Sequence, residues 1–253
     1  MIELETVSSG YRNHRILHDI SCVFKEQHIT AVMGPNGSGK TTLLKTICGI
    51  IPVMGGDIRI GGVPLGSYTL RERAKRIAYV PQSRATPRLS VYRLLLHGRF
   101  PYAGYPRAYS EHDRRIVRQI LEQTGLAQAA DMPVNTLSGG QKQQAYLAMA
   151  LVQQTPVILF DEPTTFLDIR NKLETEQRLR ELKNAGKTII AVFHDIDTAL
   201  SLADDMLLLK DGRTAACGTP EELLKNRMIQ TVFAIDIETV YTETGARHFV
   251  CSL

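Results

Sequence analysis

The 253-residue sequence has no long hydrophobic run, and this absence limits how the protein can meet a membrane. Its longest apolar stretches, 157–160 and 188–193, have the length of β-strands and end in polar or charged residues. A membrane-spanning helix needs about 20 apolar residues, so neither stretch could cross a bilayer. Residues 1–7 also lack the basic start and apolar centre of a secretory signal. We therefore expect a protein that stays in the cytosol.

Cysteines are few and the net charge is small. The four cysteines are widely spaced and form no C-x-x-C pair, so neither a zinc site nor a disulfide framework is indicated. We expect these cysteines to be reduced and mostly buried.

The formal net charge is +4, and a solvated helix face explains the brief basic cluster at 71–76 better than nucleic-acid binding does. No nucleic-acid partner is therefore expected.

Short β-branched runs recur along the chain, and each ends in residues that could do chemistry. Residues 29–33 lead into Gly34, 77–80 into Pro81 and Gln82, 157–160 into Asp161 and Glu162, and 188–193 into His194. In open parallel α/β sheets, ligands bind outside the carboxyl ends of the strands. We therefore predict an α/β fold in which these four strand ends converge on one site.

Two stretches depart from this strand pattern. Residues 83–154 carry helical signals, among them Ser110 followed by Asp113 in the spacing of a capping box. They predict a helical subdomain, inserted into one domain of residues 1–253 whose catalytic core comprises 1–82 and 155–253. Glycines and alternating residues over 55–66 predict a β-hairpin, and hence an antiparallel β patch beside a mixed sheet.

The strongest motif is G-P-N-G-S-G-K-T at residues 34–41, which fits the P-loop pattern G-x-x-x-x-G-K-[ST] between a strand and a helical run. In such a loop, backbone N–H groups surround phosphate oxygens, and the following helix directs its positive dipole end at the same charge. The motif predicts a P-loop NTPase core that binds ATP and Mg²⁺, with Thr41 and Asp161 holding the ion. The residues expected to contact ATP are Gly34, Asn36, Gly37, Ser38, Gly39, Lys40, Thr41 and Thr42.

A second motif, L-S-G-G-Q at residues 137–141, precedes another helical run. Taken alone it is ambiguous, because Ser138 and Gln141 also have the spacing of a capping box. The pentapeptide resembles the signature motif of the ATP-binding cassette (ABC) ATPases, and the P-loop, signature, Asp-Glu pair and His occur in that family's order. The resemblance extends from Tyr11 to near Leu209. Gln144 departs from it, since the family often has a basic residue there.

The resemblance implies that the catalytic unit is a dimer of this chain. In ABC ATPases the signature segment of one subunit contacts the ATP held by the other, which implies this role for Ser138, Gly139, Gly140 and Gln141. It also implies that Asp168 communicates across the dimer, although the same residue could simply cap the helix that follows it.

Other roles follow from the same resemblance. It implies that Tyr11 stacks on adenine, although a packing role is an alternative. It implies that Gln82 touches Mg²⁺ and water, and that His194 contacts the γ-phosphate and positions the water. Glu162 directly follows Asp161, and neighbouring side chains diverge on an extended strand, so Asp161 can serve the metal while Glu162 acts as the general base.

Three classes of ABC protein remain open: a transporter's ATPase subunit, a protein of DNA repair or translation, and an ATPase of iron–sulfur cluster assembly. The chain has no room for the coiled-coil insertions of repair proteins or the two cassettes of translation factors. Its length does not exclude the assembly class, but segments 98–102 and 154–156 resemble transporters. We therefore place the transporter class first.

Within the transporters, segments 96–102, 109–113, 154–156 and 161–168 resemble the importer subgroup for iron chelates, haem and cobalamin, although 169–171 lack the His-Gln pair frequent there. This resemblance implies two polytopic permease subunits as partners, a peripheral position on the inner face of the cell membrane, and an indirect link to a solute-binding protein. Residues 91–109 are expected to dock on the permease through exposed Phe100, Tyr102 and Tyr105. A ferric siderophore or other iron chelate ranks first as cargo, then haem or cobalamin, then an oxyanion such as molybdate.

Overall fold

The computed structural model describes residues 1–12, 14–82, 87–104, 108–165, 167–241 and 247–252. Within them lie twelve strands and nine α-helices. The strands are β1 (Ile2–Tyr11), β2 (His14–Phe24), β3 (Ile29–Met33), β4 (Val53–Ile60), β5 (Val63–Pro64), β6 (Ile77–Val80), β7 (Val157–Asp161), β8 (Thr188–Val192), β9 (Asp205–Lys210), β10 (Arg213–Gly218), β11 (Asp236–Tyr241) and β12 (Arg247–Ser252). The helices are α1 (Lys40–Ile47), α2 (Leu70–Ala74), α3 (Val91–Gly98), α4 (Glu111–Gln123), α5 (Gly139–Val152), α6 (Ile169–Asn184), α7 (Ile196–Leu202), α8 (Pro220–Lys225) and α9 (Met228–Phe233).

A mixed sheet of six strands, in the order β10-β9-β3-β8-β7-β6, forms the centre of the molecule. Strands β9 to β6 are parallel, and β10 pairs with β9 in the antiparallel sense. Strands β3, β7 and β8 are buried along their whole length, because one face of the sheet packs against α1 and the N-terminal strands and the other against α6 and α7. The four predicted runs are thus neighbouring parallel strands, and the predicted mixed sheet is confirmed.

A second, antiparallel sheet has the order β2-β1-β4-β5 and lies at the N-terminal part of the chain. Its β4–β5 hairpin turns at Gly61 and Gly62, whose φ angles of +57° and +78° favour glycine. The predicted antiparallel patch is therefore confirmed. Helix α1 packs between the two sheets through Leu43, Leu44 and Ile47, which are fully buried.

Helices α3, α4 and α5 form a separate cluster with its own apolar core. Among the described residues between β6 and β7, pairing of the β type is confined to one bridge, from Ser90 to Pro133. Helix α4 begins with the predicted capping box, in which the Ser110 hydroxyl accepts from the Asp113 N–H and Asp113 accepts from the Ser110 N–H. The division into core and helical subdomain at the boundaries given above stays a prediction.

Arg99 joins the helices of this cluster through a buried ion pair. The residue is 2% exposed, its Nε donates to Asp113 Oδ1 at 2.9 Å, and its Nη1 donates to the Val152 carbonyl at 2.7 Å. Its guanidinium lies 3.7 Å from the centroid of the Tyr102 ring. Tyr102 was expected to be exposed, but it is half-buried because of this stacking and because its hydroxyl donates to the Gln153 carbonyl. Tyr105 lies outside the described residues.

The expectation that the cysteines are mostly buried is wrong. Cys217 and Cys251 are exposed, while Cys22 and Cys48 are half-buried, and all four are free thiols. The exposed pair lies on β10 and β12, each at the edge of its sheet. No helix within the described ranges is long and apolar enough to span a bilayer.

Replacing Arg99 should destabilise the protein strongly, because the Asp113 carboxylate would stay buried without its counter-charge. For Arg99→Met we expect a loss of about 3–5 kcal/mol in the free energy of unfolding. The matched control is Arg118→Met, which removes an exposed ion pair with Glu111 and should cost at most about 1 kcal/mol. Urea unfolding followed by circular dichroism measures both. Similar losses in the two variants would contradict a special stabilising role for the buried pair of Arg99 and Asp113.

Candidate functional site

The loop between β3 and α1 requires glycine at the positions where the motif has it. At Gly34, φ is +153° and a Cβ atom would lie 2.0 Å from the Leu209 carbonyl oxygen at the end of β9. At Gly39, which directly precedes α1, φ is +97° and a Cβ would lie 2.6 Å from Leu17. At Gly37, φ is +80° and the space beside Cα is open. The loop therefore presents bare backbone at the positive end of α1.

Two polar side chains of this loop point to an anionic ligand. Lys40 Nζ donates to the carbonyls of Gly34 and Pro35 at 2.7 and 2.9 Å, which places the ammonium against the loop. Burial lowers the pKa of Lys40, and the charges of Glu162 and Asp161 oppose that shift. Among the described residues, the Ser38 hydroxyl is one of few buried side-chain groups without a hydrogen-bond partner. A donor left unsatisfied in this way fits a phosphate oxygen.

Asp161 ends β7 with both carboxylate oxygens engaged. Thr41 Oγ1 donates to Oδ1 at 3.0 Å, and the Tyr79 hydroxyl donates to Oδ2 at 3.0 Å. Burial raises the pKa of Asp161, these hydrogen bonds oppose the rise, and the neighbouring Glu162 adds to it. Burial and the nearby Asp161 also raise the pKa of Tyr79, so the phenol keeps its proton and acts as the donor.

The oxygen atoms of Thr41 and Asp161 suit Mg²⁺. Mg²⁺ takes one or two carboxylates from a protein and completes its shell with phosphates and water. A group of three or more His, Cys, Asp or Glu side chains able to hold a metal is absent from the part of the chain that the structure describes. The donor set therefore fits a magnesium–nucleotide better than a metal held by protein ligands alone.

Glu162 has hydrogen-bond partners different from those of Asp161, and its conformation is not the expected one. Its backbone is not extended: φ is +57°, in the left-handed region, directly after the strand ends. Its Oε2 accepts a hydrogen bond from Gln82 Nε2, and its Oε1 is hydrogen-bonded to His194 Nε2. The Glu162 side chain is 9% exposed, whereas that of His194 is 43% exposed. Three strand ends thus meet at one carboxylate.

Gln82, Glu162 and His194 face a cleft of about 520 Å³ at the carboxyl edge of the central sheet. It is lined by Ile16, Asn36, Gly37, Gly39, Lys40, Thr41, Thr42, Gln82, Glu162 and His194. Tyr11 does not line it; the residue is 48% exposed at the end of β1, where it pairs with His14.

Two residues of this region, Ile16 and Tyr79, are absent from the sequence-based prediction. Ile16 lines the cleft from β2, and Tyr79 reaches Asp161 from the neighbouring strand β6. The available signal for Tyr79 was a hydroxyl-bearing residue inside a short apolar strand, three positions before Gln82. Ile16 carries no comparable signal, because an apolar residue on a strand is ordinarily part of the core.

The L-S-G-G-Q segment lies outside this cleft, at the start of α5. The Ser138 hydroxyl accepts from the Gln141 N–H at 3.3 Å, and Gln141 Oε1 accepts from the Ser138 N–H at 3.1 Å, so the capping box is present. A Cβ at Gly140 would lie 2.9 Å from the Asn171 side chain of α6. Asp168 caps α6 by accepting from the Asn171 N–H at 2.8 Å. The capping role, which was the alternative for this residue, is therefore present.

Sequence relatives of this chain are ATP-binding subunits of importers. The family model for ABC transporters matches residues 17–165. The iron(3+)-hydroxamate import ATP-binding protein FhuC of Bacillus subtilis is 38% identical over 99% of this chain and 93% of its own length. The ferric enterobactin transport ATP-binding protein FepC of Escherichia coli is 34% identical over 91% of this chain and 86% of its own length.

Solved structures share the fold. A chain of an ABC transporter in an inward-facing conformation has a TM-score of 0.86 at 25% identity, covering 100% of this chain and 97% of its own. The dimeric ATP-binding cassette MJ0796, bound to ADP and Pi, has a TM-score of 0.77 at 29% identity, covering 87% of this chain and 99% of its own. The family model spans more than half of the sequence, and the relatives match nearly all of it. The chain therefore belongs to the ABC transporter family and is one of its ATP-hydrolysing subunits.

Proposed function

We propose that this chain powers the import of a ferric siderophore or a related iron chelate, working at the inner face of the cell membrane. The ATPase activity in this proposal is supported by one observation: Glu162, Gln82 and His194 line the same cleft as the phosphate loop. The cargo is argued from the relatives, since FhuC and FepC are named for iron(3+)-hydroxamate and ferric enterobactin.

ATP would lie along the loop between β3 and α1. The unsatisfied Ser38 hydroxyl and the bare backbone at Gly37 can donate hydrogen bonds to phosphate oxygens. Lys40 would exchange its two carbonyl partners for the β- and γ-phosphates, which are stronger acceptors for an ammonium group. The adenine would stack on Tyr11, whose ring is half exposed, and Ile16 would supply apolar contact beside it.

Thr41 and Asp161 are the residues that would hold Mg²⁺. Their oxygens lie 3.0 Å apart at the mouth of the loop, and both are ligands that Mg²⁺ prefers. When bound, Mg²⁺ neutralises charge that builds up on the β- and γ-phosphates. Gln82 is the third proposed ligand, although here its amide donates to Glu162.

Glu162 is the proposed general base. It has little exposure, and each of its carboxylate oxygens has one partner, Gln82 on one side and His194 on the other. A carboxylate held on both sides can accept a proton from a water molecule in a defined direction. His194 is more exposed than Glu162, which suits its proposed contact with the γ-phosphate.

A second copy of the chain is the proposed partner across each nucleotide. The start of α5 offers backbone N–H groups, with open space beside Gly139, and the Ser138 hydroxyl can still donate its proton. A helix start of this kind is an anion site, and it lies outside the chain's own cleft. The similar cassette MJ0796 is dimeric with its nucleotide bound.

Replacing Glu162 by Gln should lower kcat by about 10²–10⁴-fold, because the amide cannot take the proton. ATP binding should be kept, and size-exclusion chromatography with ATP should show a trapped dimer. Glu174→Gln is the control, since that exposed glutamate pairs only with Arg170 among the contacts described. Phosphate release measures turnover. Near-normal turnover in Glu162→Gln would remove this residue from the role of base.

A groove beside α2 and the end of α3 is the proposed docking surface for the permease. It is lined by Leu70, Arg71, Ala74, Phe100, Pro101, Ala103 and Gly104. Leu70 is 75% exposed and Phe100 is 48% exposed, and such apolar exposure marks an interaction site. Arg71 donates to the carbonyls of Pro101 and Ala103 at 2.7 and 2.8 Å, which fixes one wall of the groove to the other.

Leu70→Asp together with Phe100→Asp should abolish uptake, because two charges would be placed in an apolar interface. The ATPase rate of the isolated chain should stay unchanged, since both residues lie outside the nucleotide cleft. Val23→Asp, at a position 54% exposed on β2, is the control and should transport normally. Retained uptake in the double variant would show that the permease does not dock on this groove.

Deletion of this chain should prevent growth on ferric siderophores as the sole iron source, in a strain without another importer able to compensate. The wild-type chain should restore growth, and Glu162→Gln should not. Uptake of haem, labelled cobalamin and molybdate should continue in the deletion strain. If siderophore-dependent growth persisted while one of those three was lost, the cargo would be reassigned to it and the ATPase would stand.

A further inference from the structure

Asp161 is held by two donors that differ in what they can do once a metal is bound. Thr41 donates to Oδ1 and is itself a proposed ligand of Mg²⁺, so its hydroxyl belongs to the metal site. The Tyr79 hydroxyl donates to the other oxygen, Oδ2, at 3.0 Å. Tyr79 is therefore a donor that contacts the carboxylate from outside the set of proposed metal ligands.

We propose that Tyr79 is a positioning residue that orients the Asp161 carboxylate toward Mg²⁺. The inference rests on the proposed metal site and adds to it a residue that contacts Asp161, one of the proposed metal ligands. Groups that hydrogen-bond a metal ligand fix its orientation, and losing one typically weakens metal affinity or activity about 10- to 100-fold.

The surroundings of Asp161 explain why this donor matters. Asp161 is 2% exposed, so water cannot readily replace a lost hydrogen bond. The carboxylate follows a fully buried strand, and its backbone is fixed by the pairing of Asp161 with Val192 on β8. Rotation about the side-chain bonds is then the remaining freedom, and a hydrogen bond to Oδ2 limits that rotation.

The position of Tyr79 on β6 is equally fixed. It pairs with Leu159 on β7, two residues before Asp161, and the half-buried ring reaches along the strand to the carboxylate. The same strand leads into Pro81 and Gln82, so a single short element carries both the residue that holds Asp161 and the residue that contacts Glu162. The tyrosine hydroxyl is thus placed by the sheet itself.

Tyr79→Phe tests the inference because it removes the hydroxyl and keeps the ring. The full-length chain is titrated with a non-hydrolysable ATP analogue at increasing Mg²⁺, and again in EDTA. We expect the Mg²⁺ concentration for half-maximal binding to rise about 10- to 100-fold, with analogue affinity in EDTA unchanged. With Mn²⁺ in place of Mg²⁺, electron paramagnetic resonance should show a weaker Mn²⁺ affinity by a similar factor.

Tyr68→Phe is the matched control, because it removes a tyrosine hydroxyl that donates to the Ile60 carbonyl of the antiparallel sheet at 3.2 Å. It should leave the Mg²⁺ requirement as in the wild type. An unchanged Mg²⁺ requirement in Tyr79→Phe, or an equal loss of affinity with and without Mg²⁺, would overturn the positioning role. A wild-type chain whose binding ignores Mg²⁺ would instead contradict the proposed metal site itself.

Discussion

The hydrogen-bond register of the central sheet is the constraint on which the site depends. Val32 and Asp161 both pair with Val192 of β8, and Val80 pairs with Phe160, so β3, β8, β7 and β6 end at nearly the same level. The residues after these ends then have to meet. A one-residue slip of β7 would turn Asp161 to the opposite face and separate it from Thr41 and Tyr79. The site is therefore specified by apolar strands as much as by its polar side chains.

Two adjacent carboxylates acquire different surroundings because the backbone changes conformation between them. Asp161 belongs to the strand and is enclosed by hydroxyl donors, while Glu162 adopts a left-handed conformation and meets an amide and an imidazole. A non-glycine residue in that region costs about 1–3 kcal/mol, which the surrounding contacts must offset. Such strain is typical of functional sites, and here it separates two like charges that would otherwise compete for the same partners.

Much of this arrangement could be predicted from the sequence, since strand ends and a glycine-rich loop carry strong local signals. The parallel neighbours, the antiparallel patch and the capping boxes at Ser110 and Ser138 are examples. What could not be predicted depends on contacts between distant segments. The exposure of Cys217 depends on which face of β10 the neighbouring elements cover, and the half-burial of Tyr102 follows from its stacking on Arg99. Neither is visible in a local pattern.

Arg99 has a mechanical consequence for the helical part of the molecule. Its single guanidinium bonds to α4 and to the last residue of α5 and stacks on the turn after α3, so these elements cannot shift separately without exposing a buried charge. Helix α5 has 14 residues and is therefore about 20 Å long. A displacement of the segment at Phe100 is therefore expected to carry α5 with it as one body, including Ser138 at its start.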